Sequence, residues 1–277
     1  AMRIREAVTK GRVKKAVVVG AGFIGLEMAE ALADMWGVET SVVEIAPQIL
    51  PRVISPVLSR MALRHMRSKG LRFHLGETVR EISGENGQVS CLRTDASRLE
   101  ADMVLVAAGV LPNTALAREA GLEVSVRGGI VVNEYLQTSD PDIFAGGDCV
   151  ELRHQITGAP FYLPLIAGGL GPDLGNRQGR VIGTNLAGGE TTFDGAVGSF
   201  VVKLFDRSVA GTGLTLAAAQ HEGFDALSVL IVQPDRAHFY PTKAPMTLEL
   251  TVERPTRRIL GIHGYGAAGD ALVGRIN

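Results

Sequence analysis

The stretch VVVGAGFIGLEMAE, residues 17–30, constrains this chain most, because it reads as a buried strand, a glycine-rich turn and a helix start in immediate succession. Lys14–Val19 is a short β-branched run of the kind that forms a central parallel strand, covered on both faces. Gly20, Gly22 and Gly25 follow at GxGxxG spacing, with Phe23 and Ile24 between the last two. Each glycine has its own task in such a turn. The first permits the tight bend, the second lets a phosphate approach the backbone, and the third lets the helix pack closely on the strand. The N–H groups at the helix start, together with the helix dipole, then favour a pyrophosphate. The spacing alone is a weak signal, and a glycine-rich strand-to-helix turn without a ligand would share it. Here the second strand, Thr40–Val43, closes on an acid, Glu44, 24 residues after Gly20. That context marks a dinucleotide site. A carboxylate at this position accepts hydrogen bonds from ribose hydroxyls and repels a 2′-phosphate, and Ile45, Ala46 and Pro47 offer no guanidinium to hold one. The pattern therefore predicts NAD, with NADH preferred over NADPH.

The rest of the chain is patterned as an α/β unit followed by an α+β unit. Ser55-Pro56 pairs an N-cap with a first-turn proline, opening a helix that stops at Gly70. Val79–Ile82 and Gln88–Arg93 alternate around Asn86-Gly87, a hairpin signal. Met103–Ala107 reads as a returning buried strand ending at Gly109. The expectation is βαβαβ, an antiparallel ribbon and a returning strand within 1–122. A segment over 123–192 carries Ile130–Val132, IFAGGD at 143–148 and a helix from about Asp173 to Ala187. Over 193–277, Phe200–Leu204, Leu227–Val232, Met246–Val252 and Ile259–Ile262 read as strands, with a helix at Thr215–Glu222.

Composition excludes several classes. With 46% hydrophobic and 21% charged residues and a net charge of −1, the chain is an ordinary globular protein with no support for nucleic-acid or anionic-membrane partners. Its longest strongly apolar run, Met103–Leu111, is too short to span a bilayer. The only cysteines, Cys91 and Cys149, are far apart and form no CxxC, as suits a cytoplasmic protein. His221 and His238 have no ligand-like companions, so no metal is expected.

Several stretches, in order along the whole chain, resemble the FAD-dependent pyridine nucleotide-disulfide oxidoreductases, most of all the coenzyme A-disulfide reductase and NADH oxidase/peroxidase branch. VVVGAGFIGLEMAE is similar to that family's nicotinamide-binding stretch, and MVLVAAGVLPNTALA (103–117) to the strand and loop that close its nicotinamide domain. TSDPDIFAGGDCVE (138–151) resembles the segment whose aspartate holds the flavin ribityl chain, which places that role on Asp148 beside Gly147. LPL (163–165) and NRQGR (176–180) resemble the stretch and helix that follow it. GTGLTLAAAQHEGF, AHFYP and ILGIHGYG resemble the C-terminal dimerisation domain.

The resemblance implies three parts: a Rossmann-like NAD-binding domain at 1–122, the returning part of an FAD-binding domain at 123–192, and a shortened α+β dimerisation domain at 193–277. It implies NADH as donor, FAD in the intact protein, and a homodimer. It also implies hydride transfer from NADH through FAD to a disulfide, peroxide or oxygen. In that family the nicotinamide domain is inserted into the FAD domain, so the glycine turn here corresponds to the NADH turn. The family's first FAD segment and redox cysteine have no counterpart in these residues, and the chain alone is expected to be inactive. IAGGLGPDLG (166–175) is longer than the family's linker. Phe23 corresponds to an aromatic lid over the flavin, Glu27 to a glutamate paired with a lysine of the first FAD segment, and Tyr240 to a tyrosine that reaches the partner's active site. Packing on the sheet, a solvated face and an interface contact are the respective alternatives. Two other functions stay open: a single-Rossmann NAD-dependent dehydrogenase, for which no His or Tyr-Lys acid/base constellation follows Gly109, and a non-catalytic nucleotide-binding module.

Overall fold

The computed structural model describes residues 2–161 and 174–276. A short helix α1 (Met2–Thr9) precedes strand β1 (Lys15–Val19), whose three central residues are fully buried. Helix α2 (Phe23–Glu30) runs on into a single π-helical turn, Ala31–Met35. Its deeply buried stripe is Gly25, Leu26, Ala29 and Leu32; of the apolar face Ile24, Met28, Ala31 and Leu32 that the sequence suggests, Leu32 is buried and the other three are half-buried. Strand β2 (Glu39–Glu44) leads to helix α3 (Pro56–Ser68), where the Ser55 hydroxyl accepts the Leu58 N–H as anticipated for that N-cap. Strand β3 (Arg72–Leu75) supplies the third strand that βαβαβ requires, although no clear pattern marks it in the sequence.

The ribbon is a three-stranded meander of β4 (Val79–Glu85), β5 (Gln88–Thr94) and β6 (Arg98–Glu100). Asn86 (φ 52°) and Gly87 (φ 75°) both take the left-handed backbone that a two-residue hairpin turn demands. Strand β7 (Met103–Val106) returns beside β1, completing a parallel sheet in the order β3-β2-β1-β7. Ligands of such sheets bind outside the carboxyl ends of the strands, where the winding reverses next to β1.

Helix α4 (Ala115–Glu119) follows, and then a largely irregular segment. Ile130–Val132 is not a strand; Ile130 makes only isolated bridges to Val124 and Val150. A small ladder pairs β8 (Leu152–Arg153) with β9 (Pro160–Phe161), and helix α5 (Leu174–Leu186) lies close to its anticipated position. The LPL stretch and residues 166–173 of the longer linker lie outside the described residues.

The C-terminal sheet has five antiparallel strands in the order β10-β11-β14-β13-β12. They are β10 (Phe200–Leu204), β11 (Arg207–Gly213), β12 (Ala226–Pro234), β13 (Pro245–Glu253) and β14 (Ile259–Ala267), with helices α6 (Leu216–His221) and α7 (Asp270–Ile276). Strand β11 was not legible in the sequence. RSVAGTG is built of small residues because, at Gly211, any added side chain would run into His263 and Phe200. The main core joins both sheets: Val202, Leu204, Phe205 and Val209 cluster with Val18, Leu26, Leu58 and Met66 of the Rossmann-like unit.

Candidate functional site

The glycine turn sits at the carboxyl end of β1, tied to its neighbours by backbone hydrogen bonds. Gly20 N–H donates to Val43 of β2 at 2.7 Å, and Ala107 N–H, just past β7, donates to Val19 at 2.7 Å. Gly20 has φ 106°, and a Cβ there would lie 2.3 Å from the Ala107 carbonyl oxygen. A Cβ on Gly25 would lie 1.9 Å from the Gly20 carbonyl oxygen, so α2 can approach the turn only through hydrogen at this position. At Gly22 an added Cβ would meet nothing within 4 Å. Two of the three glycines thus permit close packing and the third faces open space. No side chain caps α2, which leaves its first N–H groups and positive dipole end available to an anion.

Glu44 is 8% exposed and does more than its position in the sequence suggested. One carboxylate oxygen accepts the Ala21 N–H of the turn at 2.7 Å, and the other accepts the Ala46 N–H at 2.8 Å. A carboxylate has about four lone-pair sites, so two remain open to further donors. The brace fixes the acid against the turn before any ligand arrives. Ile24 is half-buried in the first turn of α2, and Gly109, at φ 124°, lies exposed beyond β7.

Phe23 starts α2 and packs on Phe200 of β10, with ring centroids 5.3 Å apart. Glu27, one turn later, is exposed and forms no ion pair among the described residues; desolvation of its carboxyl and the neighbouring Glu30 raise its pKa. Tyr240 lies in the loop after β12, half-exposed and stacked on Phe239 at 4.8 Å. The structure therefore gathers Gly20, Gly22, Phe23, Ile24, Gly25 and Glu44 at one sheet end, while Tyr240 belongs to the C-terminal sheet.

Gly147 and Asp148 form a separate element. Gly147 has φ 85°, and its N–H donates at 2.7 Å to the side-chain oxygen of Gln178 on α5. Asp148 is exposed and its carboxylate makes no hydrogen bond among the described residues. Gln178 is 1% exposed, and its amide nitrogen has no partner among the described residues. Nothing in the composition of α5 singled this glutamine out; only the contact reveals it. Beside this loop the Cys149 thiol donates to the Gly146 carbonyl at 3.4 Å and is pushed up by burial, while Cys91 is buried on β5. Both thiols are free. GxGxxG spacing recurs at Gly264, Gly266 and Gly269, but the first two lie within β14 rather than in a turn. Among the described residues there is no group of three metal-ligating side chains and no helix long and apolar enough to cross a membrane.

Residues 1–161 match the family model of the pyridine nucleotide-disulphide oxidoreductases, and residues 199–277 match that family's dimerisation domain. The chain belongs to the pyridine nucleotide-disulphide oxidoreductase family. Among its relatives is the NAD(P)H sulfur oxidoreductase (CoA-dependent) of Pyrococcus abyssi, 36% identical over 96% of this chain and 58% of that protein. The crystal structure of an FAD-dependent member from Desulfovibrio vulgaris is 51% identical and covers 98% of this chain and 66% of that one, with a TM-score of 0.85. An NAD-dependent persulfide reductase from A. fulgidus superposes with a TM-score of 0.92 at 37% identity, over 99% of this chain and 49% of that one. The chain thus spans about half to two thirds of the length of these family members.

Proposed function

We propose that this chain is the NADH-binding and dimerisation part of a flavoprotein oxidoreductase that passes hydride from NADH through FAD to a disulfide, peroxide or oxygen acceptor. The observation that carries the reading is the uncapped start of α2 beside a carboxylate already braced against the turn. In this reading Gly20, Gly22 and Gly25 admit the pyrophosphate, the N–H groups around Phe23 and Ile24 bind it, and Glu44 accepts from the adenosine ribose. Gly109 closes the nicotinamide side. Family membership favours the flavoprotein reading over a single-Rossmann dehydrogenase.

The loop at Gly147-Asp148 fits the ribityl side of a flavin. Its carboxylate is exposed and unengaged among the described residues, and Gln178 holds the preceding peptide while keeping one buried amide nitrogen unpartnered. When bound, the flavin would accept the hydride and pass two electrons on. Glu27 is assigned to the flavin and nicotinamide side, Tyr240 to the partner's active site, and the C-terminal sheet to a homodimer contact. Among the described elements only one strand–glycine turn–helix unit can seat a pyrophosphate. The 277-residue chain taken alone therefore binds NADH and remains inactive.

Calorimetric titration with NADH and NADPH tests the central assignment. NADH should bind roughly ten- to a hundred-fold more tightly, the value of one charge-assisted hydrogen bond. Equal affinities would overturn the role given to Glu44. Visible spectra of the purified chain test the second part: stoichiometric flavin, or disulfide-dependent NADH consumption, would show that the single turn has been misassigned.

A further inference from the structure

Between Glu44 and Glu77 the sequence holds six Lys and Arg residues and no Asp or Glu. Three of them, Arg60, Arg64 and Arg67, line up along the exposed face of α3. Like charges three and four residues apart on a helix destabilise it. Among the described residues Lys69 pairs with Asp206 at 2.8 Å and His65 Nε2 approaches the same carboxylate at 3.0 Å without a hydrogen bond, whereas Arg60, Arg64 and Arg67 form no ion pair. The helix dipole accounts for basic residues in the last turn of α3. It does not account for Arg64; Arg207, which lines the same cleft from strand β11, pairs only loosely with Asp206, at 3.9 Å.

Arg64 and Arg207 flank a cleft of about 390 Å³ between α3 and the C-terminal sheet, which Ser68, Thr247 and Tyr265 also line and to which Met61 and Pro245 supply apolar wall. That volume is in the range of small-molecule sites. One carboxylate, Asp206, is shared among Lys69, His65 and, at 3.9 Å, Arg207, which leaves Arg64 without a counter-ion among the described residues and Arg207 only loosely paired. The cleft is also remote from the glycine turn. Helix α3 starts near the carboxyl ends of the strands and descends to the start of β3, so Arg64–Ser68 lie towards the opposite edge of the parallel sheet.

We propose that this cleft is a second binding site, for a small phosphate ester with an apolar body, whose phosphate is clamped between Arg64 and Arg207. The test is calorimetric titration of phenyl phosphate into the 277-residue chain saturated with NADH. Saturable binding is expected, and the double variant R64Q/R207Q should weaken it by roughly tenfold or more, the effect of losing charge-assisted hydrogen bonds. NADH affinity should be unchanged in that variant, which also reports that it folds. R64Q alone, on an exposed helix face, repeats the test without disturbing the packing of Arg207. Absence of saturable binding at millimolar phenyl phosphate, binding that appears only without NADH, or full affinity in R64Q and R64Q/R207Q would each overturn the proposal.

Discussion

Glu44 illustrates how one side chain serves the fold and the proposed ligand together. Replacing it by glutamine keeps an acceptor for one backbone amide but removes the charge. E44Q should lower NADH affinity by roughly tenfold and narrow the gap to NADPH, as read by calorimetry with both nucleotides. The glycines separate the two roles more cleanly. Gly22 has φ −80° and open space around an added methyl, so G22A should melt close to the parent while binding NADH markedly less well. G25A places a methyl 1.9 Å from a carbonyl oxygen and should cost about 1–3 kcal/mol or more in stability, measured by denaturant unfolding. A buried imidazole supplies a pH effect. His263 is 3% exposed, and burial pushes its pKa down to about 4. Its cross-strand neighbour Glu249 makes no ion pair with it. The unfolded chain therefore takes up this proton first, and stability should be lost as pH falls from about 6.5 towards 4, by up to about 3 kcal/mol. In H263Q the slope of unfolding free energy over that window should flatten; an unchanged slope would show that other groups carry it.

At the scale of elements, α2 has functional ends. It begins at the glycine turn and finishes at Glu30, whose carboxylate accepts from Lys203 Nζ at 3.0 Å and from the Phe205 N–H at 2.8 Å in the β10–β11 turn. E30A strands a partly buried N–H, and a loss of about 1–3 kcal/mol is expected in equilibrium unfolding. None of this was visible in the sequence, because the partners lie more than 170 residues away. What was visible had local causes. Ser55-Pro56 announced α3, Asn86-Gly87 announced the hairpin, and Glu44 was placed by its distance from Gly20. Glu44's bonds to Ala21 and Ala46 were not, since they depend on how β2 and the turn meet. Strand β11 escaped because the crowding that selects its small residues comes from β10 and β14. The apolar run Ile130–Val132 packs into the second core cluster without a continuous ladder.

Across the whole molecule, the C-terminal sheet exposes an edge. Strand β12 leaves Val229, Leu230, Ile231 and Val232 40–64% exposed, on both faces. Free apolar edges invite pairing, in keeping with the match to the family's dimerisation domain. I231K should shift sedimentation from dimer towards monomer without lowering NADH affinity; a parent chain that is monomeric at high concentration would remove the basis for the dimer. The shared core has a further consequence. Because Val202, Leu204, Phe205 and Val209 cluster with the residues under α2 and α3, the nucleotide-binding unit and the C-terminal sheet are two halves of one hydrophobic interior. Shuffling modules between relatives is then constrained: a crossover between residues 193 and 199 would pair surfaces that had never adapted to each other, so in evolutionary descent these two units should travel as a matched pair.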